Sequence, residues 1–72
     1  MITIRVYSEL GNAPVKGKKI TLSTSTGQLS DTTNSSGDVH FDVPGGKGYE
    51  IYVDGGRIYK GPIIGVQVVY VR

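Results

Sequence analysis

The sequence predicts an all-β domain of six or seven short strands, arranged as an antiparallel sandwich or small barrel. Apolar side chains recur at every second position in several short runs, which is the period of a strand with one buried face. Turn residues separate these runs at intervals of about 8–12 residues, the spacing typical of sandwiches and barrels. No window has the apolar spacing of an amphipathic helix. We expect residues 1–72 to form one domain.

The amino-terminal part of the chain predicts three strands joined by tight turns. They cover about residues 2–7, 18–24 and 28–33. The side chains expected to face inward from the first two strands are Ile2, Ile4, Val6, Ile20 and Leu22. Gly27 supplies the positive φ that a hairpin turn between the second and third strands needs. The third strand is the weakest, because Leu29 is its only large apolar residue.

The clearest strand pattern lies between Thr33 and Val53. Two runs, at about residues 39–43 and 49–53, alternate apolar and polar side chains. Their expected inward positions are Val39, Phe41, Val43, Tyr49, Ile51 and Val53. Residues 44–48 read Pro-Gly-Gly-Lys-Gly, which cannot continue a strand ladder and predicts a loop.

Two further strands are predicted in the carboxy-terminal part. The Asp-Gly-Gly sequence at 54–56 predicts a hairpin turn, followed by a short strand at 57–60 that the next Gly-Pro pair is expected to end. The last run, residues 63–71, is the most apolar in the chain. We expect one face of it to carry Val66, Val68 and Tyr70, and the other to carry Gln67, Val69 and Val71. Both faces of this strand are therefore apolar.

Composition excludes several classes of protein. The chain has no cysteine, so disulfides and thiolate metal sites are excluded. Its net charge of +2 permits contact with nucleic acid without requiring it. No apolar run approaches the ~18 residues of a membrane span, and the first residues lack the features of a secretory signal. We therefore expect a cytoplasmic protein if the chain is full length.

A family resemblance follows from the turn and core residues of positions 6–53, about two thirds of the chain. The pattern runs Val6, GNAPVKGK at 11–18, Ile20, Leu22, Thr33-x-x-x-Gly37-x-Val39-x-Phe41-x-x-Pro44-Gly45 and Tyr49-x-Ile51-x-Val53. It resembles the carboxypeptidase-regulatory-like and Cna-B-like domains of the transthyretin-like (prealbumin-like) β-sandwich group. The resemblance implies a Greek-key sandwich of seven strands, trimmed at one edge because the chain is short.

The chemistry known in similar domains is not expected here. Cna-B-like domains often carry a cross-link from a lysine of the first strand to an Asn or Asp of the last, where this chain has Arg5 and Gln67. Transthyretin-like hydrolases need more than one histidine, and His40 is the only one here. His40 lies between two inward positions and is expected to face solvent. We predict no catalytic residues and no enzyme.

Metal and cofactor sites are likewise not predicted. Four side chains near one loop could offer oxygen ligands to Ca²⁺, namely Asp31, Asn34, Asp38 and Asp42. Their order does not match the twelve-residue calcium loop, and such residues are common in turns. The Gly-Gly-Lys-Gly sequence at 45–48 precedes no helix whose N-terminus could bind a phosphate. We expect these residues to be turn and loop residues.

The function predicted from the sequence is a structural or protein-interaction module, such as an assembly or accessory domain of a phage or surface protein. Its expected interaction surface consists of Tyr52, Tyr59, Val69 and Val71, and its partner is another protein or a second copy of the chain. An alternative is a module that binds carbohydrate or single-stranded nucleic acid through exposed tyrosines with Lys and Arg side chains. Nucleic acid is the less favoured ligand, because Asp38, Asp42, Glu50 and Asp54 place acids on neighbouring strands.

Overall fold

The fold consists of two β-sheets packed face to face, with no helix. A computed structural model describes all 72 residues. Its seven strands are β1 (Ile2–Ser8), β2 (Lys19–Thr24), β3 (Gly27–Thr32), β4 (Asp38–Phe41), β5 (Gly46–Val53), β6 (Gly56–Ile63) and β7 (Val66–Val71). The all-β prediction is confirmed, and each predicted strand has its counterpart.

The two sheets differ in size and in the direction of one strand pair. One sheet has three strands in the order β4-β1-β7, and the other has four in the order β3-β2-β5-β6. All neighbouring strands are antiparallel except β1 and β7, which run parallel. The expectation of a wholly antiparallel arrangement is therefore wrong for this pair. The two strands are far apart in sequence, so no hairpin turn dictates their relative direction.

A single apolar core fills the space between the sheets. Its thirteen buried residues include all the side chains predicted to face inward from the first five strands, except Val43. Val43 lies beyond the end of β4, where it is half-buried and packs against the core. The remaining members, which the sequence left unassigned or assigned to the outer face, are Ile63, Val69 and Val71. Alternation along each strand is thus sufficient to build most of this interior.

The loops that link the sheets are held by a small number of polar contacts. Asn34 Oδ1 accepts hydrogen bonds from the backbone N–H groups of Ser36 and Asp38, which makes a compact turn ahead of β4. Gly37 closes that turn with a φ of 79°, and a Cβ atom there would lie 2.7 Å from the carbonyl oxygen of Val6. This position therefore requires glycine for both its backbone angle and the close approach of β1.

Thr33 is the one buried polar side chain, and it fastens the segment between β1 and β2. Its hydroxyl donates to the carbonyl oxygen of Val15 over 2.7 Å and accepts from the N–H of Lys18 over 2.9 Å. Both hydrogen-bonding roles of the hydroxyl are used, so the group is buried without loss of a partner. The Thr-x-x-x-Gly pattern is thus a structural motif of this chain.

Strand β6 differs from its prediction in length and in the direction of one side chain. The predicted break at Gly61 and Pro62 is wrong, because β6 continues to Ile63 as the edge strand of its sheet. An edge strand tolerates proline, since the missing N–H can face the open side. Because β6 extends as far as Ile63, Gly46 can pair with it, so β5 begins at Gly46 and the loop predicted at 44–48 is shorter than expected.

A β-bulge in β6 reverses the predicted orientation of Tyr59. Ile51 pairs with Tyr59 and Tyr52 pairs with Arg57, so Ile58 has no partner across the ladder. The extra residue shifts the alternation by one position. Tyr59 therefore packs against the core, whereas Ile58 is exposed.

The two faces of β7 are exchanged relative to the prediction. Val69 and Val71 are only 5% and 9% exposed and belong to the core. They lie beside Val6 and Ser8 in the parallel ladder, on the side of β1 that faces the second sheet. Because both faces of this strand are apolar, alternation alone could not decide which face turns inward.

Candidate interaction surface

The four residues predicted to form an interaction surface do not lie together. Val69 and Val71 are in the core, and Tyr59 packs against its edge. Only Tyr52 lies on an outer face, that of the four-stranded sheet, where it is half-buried between Thr21 and Arg57 on the neighbouring strands. The prediction that these three residues face outward is therefore wrong: the packing of the two sheets buries Val69 and Val71 and turns Tyr59 toward the core.

The exposed apolar surface of the three-stranded sheet lies instead on the opposite face of β7. Four apolar residues are exposed along this strand and the turn before it, and we call them the β7 stripe. They are Ile64 (82% exposed), Val66 (51%), Val68 (38%) and Tyr70 (49%). The ring of Tyr7 on β1 lies beside Tyr70, with 6.0 Å between the ring centroids. Along β7, Val66, Val68 and Tyr70 thus form a row of apolar side chains that continues onto the next strand at Tyr7.

The backbone of β7 is open on one side, because the strand lies at the edge of its sheet. The carbonyl oxygens of Gly65 and Val71 accept hydrogen bonds from the N–H groups of Thr3 and Glu9, at 2.8 and 2.7 Å. Backbone groups of alternate residues point to the same side of a strand. The odd-numbered residues therefore bond to β1, and Val66, Val68 and Tyr70 direct their N–H and C=O groups to the open side.

One of these backbone groups already has a side-chain partner. The side chain of Gln67 donates from Nε2 to the carbonyl oxygen of Val68 over 2.9 Å. A carbonyl oxygen has two lone pairs, so it retains capacity for a second donor. The backbone groups on the open side of β7 therefore remain able to accept and donate hydrogen bonds along the whole strand.

The other three edge strands carry features that discourage pairing with another chain. Strand β6 has a bulge and Pro62, and β4 has only four residues, one of which is Asp38. Strand β3 is exposed throughout and has a polar sequence, GQLSDT. Proline, bulges, charges and short length are the devices by which edge strands avoid association. Strand β7, with the sequence VQVVYV, has none of them.

The largest groove opens at the end of the sandwich next to Tyr70, with a volume of about 340 Å³. Buried Val53 and Val71 lie among its lining residues, together with exposed Ile58. Two ion pairs also line it: Lys18 Nζ to Asp54 Oδ2 at 2.6 Å, and Arg72 Nε to Glu9 Oε2 at 3.8 Å. The groove therefore extends the apolar surface of the β7 stripe without adding net charge.

The outer face of the four-stranded sheet is polar and contains an ion pair between Arg57 and Glu50. Arg57 Nη1 donates to Glu50 Oε2 over 2.8 Å. This hydrogen bond, with the positive charges of Arg57 and Lys60, lowers the pKa of Glu50 below its ordinary value of 4.5. The same bond raises the pKa of the Arg57 guanidinium above its ordinary value. The charge of Arg57 is thus balanced within the sheet.

His40 lies on the outer face of β4, as predicted, and is exposed. Its Nδ1 atom lies 2.8 Å from the hydroxyl of Thr3, with which it shares a hydrogen bond. The nearest acid along the strand, Asp38, pairs with Arg5 Nε at 3.3 Å. The hydrogen-bond partner of the His40 ring is thus a hydroxyl, whereas the Nδ1 atom of a catalytic-triad histidine is held by a carboxylate.

Three of the four residues considered as calcium ligands are engaged in turns or ion pairs. Asn34 caps its own turn, Asp38 pairs with Arg5, and Asp31 Oδ1 accepts from the N–H of Thr32 over 2.7 Å. No group of three or more His, Asp or Glu side chains is arranged to hold a metal ion. No helix is long and apolar enough to cross a bilayer.

Comparison with protein-family models, with curated proteins and with solved structures found no match to this chain.

Proposed function

We propose that this chain is a non-enzymatic protein-interaction module that binds an extended segment of a partner along β7. The observation that carries the proposal is the combination, on one strand, of an open backbone edge and an outward row of apolar side chains. In β-strand addition, backbone hydrogen bonds provide affinity and alternate side chains provide specificity. Strand β7 offers an incoming strand both its open backbone edge and the side chains of the β7 stripe.

We also propose that the chain belongs to the transthyretin-like group and has its Greek-key connectivity. Two of the links, β2 to β3 and β5 to β6, are hairpins within a sheet, whereas the other four pass between the sheets. Links of this kind are typical of Greek-key sandwiches. The turn and core residues of the family pattern, among them Thr33 and Gly37, also have the structural roles described above, which supports the assignment.

A peptide titration tests the proposed function. A capped hexapeptide of alternating threonine and valine should shift the amide resonances of Val66, Val68 and Tyr70, whose N–H groups face the open edge. A matched peptide with proline in place of valine lacks alternate N–H donors and should shift them little. The amides of β3, the polar edge of the other sheet, serve as the internal reference. Equal shifts on β3 and β7, or none on β7, would refute the proposal.

The alternative function, binding of carbohydrate or single-stranded nucleic acid, has weaker support. Tyr7 and Tyr52 lie on the outer faces of different sheets, so they do not form one stacking platform. Arg5 and Arg57 are paired with acids. Titration with oligonucleotides at low salt, where phosphate binding is strongest, tests it directly. Resonance shifts at Tyr52 that disappear on addition of salt would favour nucleic acid over the protein-interaction proposal.

A further inference from the structure

We infer that the partner of β7 is a second copy of this chain, bound antiparallel about a two-fold axis that passes midway between the Val68 residues of the two copies. The inference rests on the proposed function and names the partner for the same site. It would join the two three-stranded sheets into one continuous sheet of six strands. Because each copy uses its only unprotected edge, the assembly closes at two copies and does not extend into a fibre.

The backbone of β7 is complementary to itself in this arrangement. In this pairing Val68 lies opposite the partner's Val68, and Val66 lies opposite the partner's Tyr70. The three residues that face the open edge in one copy then meet the same three in the other. Each residue donates one hydrogen bond and accepts one, which makes about six across the interface. No strand residue with an outward N–H is left without a partner.

The outward side chains are also matched in this register. Val66 of each copy packs beside the partner's Tyr70, and pairs of aromatic and β-branched residues are among the favourable cross-strand neighbours. A shift by one residue would place Val68 opposite Val69, an inward residue, and would mismatch the faces of the two sheets. Alternation therefore restricts pairing to registers that keep the stripe on one face.

Charge does not oppose the approach of two copies. No residue from Gly61 to Val71 is charged. The nearest basic residues along the chain, Lys60 and Arg72, lie beyond the two ends of this uncharged segment. Arg5, the cation beside Val68 in the ladder, is paired with Asp38. A chain with a net charge of +2 can therefore associate along this edge without like charges in contact.

The size of the contact indicates a weak dimer. One pair of six-residue strands with its outward side chains buries less area than the ~1,600 Å² of a standard interface. We therefore expect a dissociation constant on the order of 10⁻⁴ M. The dimer should be absent in dilute solution and prominent near about 1 mM, a concentration range that sedimentation equilibrium can cover.

Sedimentation equilibrium of the whole chain tests the inference. The molar mass should rise from 7.7 kDa toward twice that value as the concentration increases. Val68→Lys should raise the dissociation constant at least about tenfold, because two lysines would face each other across the axis. His40→Lys adds the same charge to the opposite edge of the same sheet and should leave association unchanged. A monomer at about 1 mM, or equal effects of both variants, overturns the inference.

Cysteine cross-linking tests the position of the axis, since the chain has no cysteine of its own. Under oxidation, Val68→Cys should form a disulfide-linked dimer, because the axis brings the two Val68 positions within reach of a disulfide. Val66→Cys should not, since its neighbour is the partner's Tyr70. Cross-linking through position 66 but not 68 overturns the proposed pairing. A chain that stays monomeric yet binds the alternating hexapeptide at β7 overturns this inference and leaves the proposed function standing.

Discussion

The orientation of β7 leads to a sharp difference between two adjacent valines. Val69 is buried between the sheets, whereas Val68 is 38% exposed on the outer face. We predict that Val69→Asp unfolds the domain at pH 7, whereas Val68→Asp leaves it folded. Aspartate is suited to this comparison because its side chain is too short to bring a buried carboxylate to solvent. Both substitutions place aspartate, a poor strand former, on the same strand, so the cost of its low strand propensity is the same in both variants and cancels when they are compared.

The magnitude follows from burial and charge. Removal of a buried valine costs about 1.5–2 kcal/mol of transfer free energy. An uncompensated buried charge costs a further ~3–5 kcal/mol. The sum, about 4.5–7 kcal/mol, is comparable to the whole stability expected for a domain of 72 residues, about 4–11 kcal/mol. At Val68 the carboxylate stays in water, and the effect should be within about 1 kcal/mol.

Urea denaturation followed by far-ultraviolet circular dichroism measures the difference. The concentration should be about 10 µM, below the range in which we expect the dimer. With a slope near 1 kcal/mol per M for so small a domain, Val69→Asp should lower the midpoint by several M or abolish the transition. If the two variants have midpoints within about 0.5 M of each other, the inward assignment of Val69 is wrong, and with it the β7 stripe.

Three further predictions concern contacts outside β7. A non-glycine residue in the left-handed backbone conformation costs about 1–2 kcal/mol. Gly37→Ala should lower the free energy of unfolding by more than this, because the new Cβ atom would also meet the carbonyl oxygen of Val6 on β1. Gly48→Ala, which has open space around its Cβ position, should lower it by no more than the backbone cost. Thr33→Val, which leaves both backbone partners unpaired, should cost about 1–3 kcal/mol, and Thr33→Ser should restore most of it. The pKa of Glu50 is lowered in the folded state, so its contribution to stability is present above pH 4.5 and lost as pH falls through the lowered pKa. As the pH is lowered, the urea midpoint should therefore fall less in Glu50→Gln and in Arg57→Gln than in the unsubstituted protein. A fall as large as that of the unsubstituted protein in either variant would contradict the pairing.

Local patterns in the sequence predicted most of the fold. Residues such as Ile4, Leu22 and Ile51 alternate with polar neighbours, and all three are buried as expected. The Asp54-Gly55 turn has positive φ at both residues, as a two-residue hairpin requires. These predictions succeeded because the pleat of a strand and the steric limits of the backbone act within a few residues.

Predictions failed where the outcome depends on a neighbour distant in sequence. Tyr59 was assigned to the outer face by simple alternation, and the bulge at Ile58, which matches β6 to β5, turns it inward. Pro62 was expected to end β6, and it is tolerated because β6 happens to lie at a sheet edge. A bulge or an edge is a property of strand pairing, so the residues of one strand do not reveal it.

The candidate site likewise depends partly on local sequence pattern and partly on contacts between distant strands. From its residues alone, the last strand was known to be apolar on both faces, which pointed to this segment as the place of an interaction. Which face is free follows from packing against the second sheet, which buries Val69 and Val71. That the strand is open on the side away from β1 follows from the order of strands in its own sheet. Side-chain alternation is a local consequence of backbone geometry, whereas the choice between two equally apolar faces depends on which one the opposite sheet covers.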